Sequence, residues 1–171
     1  MIRRLAVLAA LPILLSGCKS ATTPSSSTTS KVTFTAQLSP ANEVPAITNA
    51  EQFGSGNVTI TMTTTKDANG NATAATVDFN ATFSGFPAGT VLTAAHIHPG
   101  VAGTNGSVLV STTIAAGEVT FPNGSGTLVK TGLTLPLDQA VTIASNPAAF
   151  YFNIHTALNP GGVARGQLKA S

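Results

Sequence analysis

The chain is short of almost everything on which soluble enzymes rely for chemistry. Its 171 residues include no Trp, one Tyr, one Cys and three His, and only 8% are charged. A single Cys excludes an intramolecular disulfide framework and any cysteine-rich zinc site. So few charges exclude a highly charged disordered chain. The basic residues form no stripe, so nucleic acid is not an expected partner. No Walker-type loop is present to cradle a phosphate, and no Gly-x-Ser-x-Gly sequence marks a hydrolase nucleophile. The carboxylates Glu43, Glu51, Asp67, Asp78, Glu118 and Asp138 are scattered. Most lie next to turn residues and read as solvated charges, so a paired-carboxylate site is not expected. The length favours one domain with a real core.

What is present begins with an address. Arg3 and Arg4 precede an apolar run from Leu5 to Leu15, too short for a mature membrane span. The run ends in Leu15-Ser16-Gly17-Cys18, which resembles the bacterial lipobox. Residues 1–18 are therefore expected to be a lipoprotein signal, with Cys18 lipidated as the new N-terminus. Each buried acyl CH₂ contributes about 0.8 kcal/mol to anchoring. Lys19 after the Cys suits sorting to the outer membrane if the source is Gram-negative. Residues 19–31, nearly all Ser, Thr, Ala and Pro, read as a flexible tether between lipid and domain. The formal net charge of +2 changes with processing. From Cys18 onward six basic residues face six acidic ones, so the mature protein is formally neutral.

From residue 32 to 169 the pattern has period two. Val58, Ile60 and Met62 alternate with Thr, and Val77, Phe79, Ala81 and Phe83 alternate with Asp78, Asn80 and Thr82. Such alternation sets one face on a core and the other toward water. Thr occurs 26 times and suits a pleated surface. Gly, Pro and Asn punctuate the pattern, with Asn69-Gly70 suited to a hairpin turn. Expected strands lie near 32–38, 56–65, 72–83, 91–98, 107–114, 118–130, 140–144, 148–156 and 163–169, with no convincing amphipathic helix. About eight or nine short strands predict an all-β, antiparallel β-sandwich or barrel. The sequences Gly54-Ser55-Gly56 and Gly124-Ser125-Gly126 echo each other. They read as two turns that each feed a strand.

The histidines concentrate the ionisable chemistry. All three lie in two segments, Ala94-Ala95-His96-Ile97-His98 and Phe152-Asn153-Ile154-His155-Thr156. On a strand, His96 and His98 share a face, with Cα atoms about 6.5–7 Å apart, and Ile97 faces the core. Tyr151, Asn153 and His155 likewise share the face opposite Phe150, Phe152 and Ile154. If the two strands are neighbours, His96, His98 and His155 converge. Three imidazoles suit copper or zinc with an open fourth position. The alternative is structural, with the imidazoles hydrogen-bonded to Asn153, Thr156 and the Asn159–Gly162 loop. Arg165, the only Arg beyond the leader, is expected either to pair with Glu43 or to bind an anion.

The segments carrying these residues resemble the CHRD domain, a family common in bacterial exported proteins. The matching pieces are Phe34-Thr35-Ala36-Gln37-Leu38 with Asn42-Glu43-Val44-Pro45, then Ala94-Ala95-His96-Ile97-His98. The last is Phe152-Asn153-Ile154-His155-Thr156 with Asn159-Pro160-Gly161-Gly162-Val163-Ala164-Arg165-Gly166-Gln167-Leu168. Pro99 after the His pair and Ala46 after Pro45 depart from the family pattern, both in loops. The resemblance implies an immunoglobulin-like or copper–zinc superoxide-dismutase-like sandwich and an extracytoplasmic setting. It implies no established reaction. The His-x-His strand is similar to the metal strand of that dismutase, but three His in all cannot furnish its dinuclear site. The expected function is a lipid-anchored envelope protein with a non-enzymatic binding or scaffolding role. The alternative is a mononuclear copper- or zinc-binding protein.

Overall fold

A computed structural model describes residues 26–171. The expected leader, Cys18 and residues 19–25 of the expected tether lie outside the described residues. Two antiparallel sheets stack as an open sandwich. The first sheet contains β1 (Thr28–Leu38), β2 (Ser55–Lys66), β3 (Ala72–Ser84), β7 (Gly126–Leu135) and β10 (Lys169–Ala170), in the order β10-β1-β2-β3-β7. The second holds β5 (Val110–Ser111), β4 (Thr90–Pro99), β8 (Phe150–Thr156) and β9 (Ala164–Gln167) in that order, with β6 (Thr120–Phe121) also paired to β4.

The period-two pattern explains the first sheet directly. Phe34, Ala36 and Leu38 of β1, Val58, Ile60 and Met62 of β2, and Val77, Phe79, Ala81 and Phe83 of β3 are all buried. Each strand turns its Thr, Asn and Asp neighbours outward. The second sheet answers with Ala95, Ile97, Phe150, Phe152 and Ile154. Phe79 meets Phe152 across the sandwich with ring centroids 5.7 Å apart. Burying each such side chain contributes about 1.5–3 kcal/mol. The two echoing turns do each feed a strand, β2 and β7.

Several boundaries differ from expectation. β1 starts at Thr28, so the last four residues of the expected tether already pair with β2, Thr28 opposite Lys66. Their β-branched and small side chains suit the ladder as well as they suit a linker. The expected strand 107–114 shrinks to Val110–Ser111. The expected strand 118–130 divides at the Pro122-Asn123-Gly124 turn into β6 and β7. The expected strand 140–144 is instead a helix, α1 (Leu137–Ser145). It begins after Pro136, carries Asp138 in its first turn, buries Ala140 and Ile143 at helical spacing, and stops before Pro147.

One junction places the site. Beyond Leu38, Ser39 forms an antiparallel bridge with Arg165, with backbone bonds of 3.1 and 3.4 Å. This stitches the end of β1 to β9 and joins the two sheets at that corner. β8 is buried at all seven positions. Its outer face, expected toward water, is roofed by the 40–53, 99–107 and 157–162 segments.

Candidate metal centre

The ladder between β4 and β8 sets the register. His96 faces Asn153, His98 faces Tyr151, and Ala94 faces His155. Asn153 in turn faces Arg165 on β9. His96, Asn153 and Arg165 thus form one cross-strand row, with His98 and His155 on either side of it. One nitrogen of each His ring lies within 4.8 Å of the others. Ring centroids are 5.0 Å apart for His96 and His155, 5.5 Å for His96 and His98, and 5.9 Å for His98 and His155. His98 is 6% and His155 7% exposed, while His96 is half-buried.

The roof fixes the tautomers. His98 Nδ1 lies 3.0 Å from the Gly106 carbonyl oxygen, and His155 Nδ1 lies 3.0 Å from that of Pro160. A carbonyl only accepts, so each Nδ1 carries the hydrogen and each Nε2 presents a lone pair. His155 Nε2 meets His96 Nδ1 at 3.2 Å, which makes His96 the donor in the metal-free ring pair. His98 Nε2 is buried with no hydrogen-bond partner. Burial pushes the His96 imidazole down to about 4, with the neighbouring His155 and His98 adding to the effect. Burial also lowers His98 and His155, only partly offset by their carbonyl bonds. All three rings are therefore neutral at pH 7 and able to donate lone pairs.

Two loops hold this arrangement. Gly106 donates from its N–H to Tyr151 Oη at 3.1 Å while its carbonyl takes the His98 hydrogen. A Cβ on Gly106 would fall on the Pro99 carbonyl oxygen, so the approach requires glycine. Tyr151 stacks flat on His98, with centroids 5.0 Å apart and planes 6° apart. The Arg165 guanidinium covers the Tyr151 ring at 4.7 Å. Opposite, Glu51 accepts from Thr156 Oγ1 at 2.7 Å and from Asn159 Nδ2. Asn159 also bonds to Asn49. These contacts tie the 157–162 loop, and with it the Pro160 carbonyl, to the 40–53 segment. Glu51 is buried, a correction to its reading as a solvated charge; its partners are more than a hundred residues away in sequence. Tyr151, Asn153, Gly106 and Glu51 carry no local signal that separates them from ordinary strand and loop residues.

Arg165 ends the row and Glu43 lies beside it, both buried, which for Glu43 also corrects its reading as a solvated charge. Arg165 Nε is 2.7 Å from the Asn42 carbonyl oxygen and 3.5 Å from Glu43 Oε2. Its Nη1 donates to Thr104 O and Asn105 Oδ1, each at 2.9 Å. Burial pushes the Glu43 carboxyl up to about 7 despite the guanidinium, which acts in the opposite direction. Glu43 Oε1, Asn153 Oδ1 and Arg165 Nη2 are buried without partners. Gly162, at φ 131°, leaves the space in which Asn153 and Glu43 come together; a Cβ there would collide with the Asn153 amide.

An antiparallel sandwich with a roofed polar row on one sheet defines a class of β-domain whose distinguishing chemistry sits outside the core. The CHRD domain family matches residues 34–168, and the chain belongs to that family. No curated protein and no solved structure gives a significant match.

Proposed function

We propose that this protein is a lipid-anchored, extracytoplasmic CHRD domain with a binding rather than catalytic role, and that it binds a single copper or zinc ion through His96, His98 and His155. The observation that carries the metal reading is His98 Nε2. A buried nitrogen lone pair without a partner is costly in a folded protein, and a metal ion satisfies it. Two of the three rings have their other nitrogen fixed by a backbone carbonyl, the usual outer support of a metal-bound imidazole. Ligand nitrogens on one tetrahedral zinc lie about 3.4 Å apart, given bonds of about 2.0–2.1 Å. The His96–His155 pair is already near that spacing at 3.2 Å. The three donor atoms all lie within 4.8 Å of one another, and rotation of the half-buried His96 ring adjusts the distances that involve it.

Elemental analysis of protein expressed with copper and zinc supplied tests the reading. One equivalent of metal is expected, and it should be lost in His155→Ala. Absence of stoichiometric metal overturns it. A structural reading is favoured by the 3.2 Å His96–His155 hydrogen bond, and it predicts His variants that lose stability in melts indifferent to metal. The anchor rests on the lipobox at Cys18. Replacing Cys18 by Ser should move the protein from the membrane to the soluble fraction, and unchanged membrane association would overturn the anchor.

A further inference from the structure

Resting on the three-histidine site just proposed, we infer that its preferred occupant is the cuprous ion, bound by three neutral imidazoles in preference to zinc or cupric ion. The argument is one of charge and coordination number.

The donor set brings no negative charge. Among the described residues, neither carboxylate nor thiolate belongs to the cluster of metal-ligating side chains around His96. The outer supports of His98 and His155 are the neutral carbonyl oxygens of Gly106 and Pro160. A carboxylate in that position makes an imidazole a stronger donor and spreads the charge of a dication; a carbonyl does less of both.

The fixed charge that acts on His98 has the wrong sign for a dication. Arg165 is 2% exposed and sits over the Tyr151 ring, which also stacks on His98. Glu43 balances it imperfectly, at 3.5 Å through one oxygen, with the other oxygen unpartnered. Repulsion from this guanidinium scales with ion charge, so a dication bears twice the penalty of a monocation. The stacked Tyr151 and the loop roof keep water from His98 and His155, which weakens the screening.

Coordination number points the same way. A closed-shell cuprous ion is satisfied by three nitrogen donors. Zinc takes four ligands, and this site would have to hold an additional water. The His96 side, the least buried part of the trio, gives the ion its path of entry.

The test uses the full chain with Cys18→Ser, so that its one thiol cannot bind copper. Anaerobic competition against a chromophoric cuprous chelator is compared with competition against a zinc chelator, for this protein and for its His98→Ala and His96→Ala derivatives. His96→Ala removes the least buried ring and guards against a His98 variant that fails to fold. The expected result is one cuprous ion per chain, held at least 100-fold more tightly than zinc and weakened in every folded His variant. Glu43→Gln should widen the preference, because it removes the only carboxylate near Arg165. Zinc binding as tight as cuprous binding overturns the cuprous preference while leaving the three-histidine site standing. No binding of either metal overturns both.

Discussion

The outer faces of the two sheets begin from the same alternation and end in different physical states. On β2, Thr59 and Thr61 stand beside Val58 and Ile60 and face water. On β8, Tyr151, Asn153 and His155 stand beside Phe152 and Ile154 and are buried. A polar group on the wet face exchanges protein for water at little cost. A polar group under the roof must find a partner in the fold or stay unsatisfied. Thr59 and Thr61 need no explanation. Among the described residues, the four unpartnered buried side-chain atoms, on Glu43, His98, Asn153 and Arg165, all belong to the roofed row or its margin. The polar groups that still lack a partner therefore gather around the second sheet, although the first carries polar side chains along its strands too.

The sharpest way to break this contrast is Arg165→Ala. It strips the Asn42 and Thr104 carbonyls and leaves Glu43 buried beside no cation. The expected loss is about 3–5 kcal/mol in urea unfolding. A loss below 1 kcal/mol would mean the roof is not a structural unit. Gly106→Ala comes next, at about 1–3 kcal/mol, because the new methyl group meets the Pro99 carbonyl. The same variant should blunt metal uptake more than its stability loss alone explains, by displacing the carbonyl that orients His98.

The third prediction is a pH slope for the metal-free protein. The His pKa values are lowered by folding, so the unfolded chain takes up protons first, and stability falls as pH drops from 6.5 toward about 4. Glu43 has the opposite sign. Its carboxyl is raised from 4.5 to about 7, so stability is lost as pH rises across that window. The two slopes oppose each other between pH 4.5 and 6.5. Glu43→Gln should therefore make stability climb more steeply with pH, measured by urea melts from pH 4.5 to 7. An unchanged slope would show that Glu43 ionises freely. The smallest effect is expected from Thr61→Ala on the wet face, within about 0.5 kcal/mol. A larger loss would blur the distinction between the faces.

The sandwich and the shared face of the three histidines were legible because both follow from a local period of two. Val58, Ile60 and Met62 announce their side of β2 without reference to the rest of the chain. The helix α1 was not legible. Val141, Thr142 and Ile143 are β-branched and read as strand, and the decision falls to Pro136, Asp138 and the packing of Ala140 and Ile143. The roof was not legible either. It depends on Asn105 reaching the Val44 carbonyl and Asn159 reaching Glu51, contacts set by topology and invisible to any window of neighbouring residues. Glu51 was misread for that reason. The Glu43–Arg165 pairing stood among the alternatives read from the sequence, and the 3.5 Å approach places the two side by side.

The run of β1 has a directional consequence. Its first residue pairs with Lys66 beside the Asn69-Gly70 turn, and its far end meets Arg165 level with the histidine row. Eleven residues at about 3.3 Å each make a mast of about 35 Å. A surface that grips this protein by its N-terminal side holds the foot of that mast. The histidines ride at the masthead, two of them under the roof and half-buried His96 the most exposed of the three.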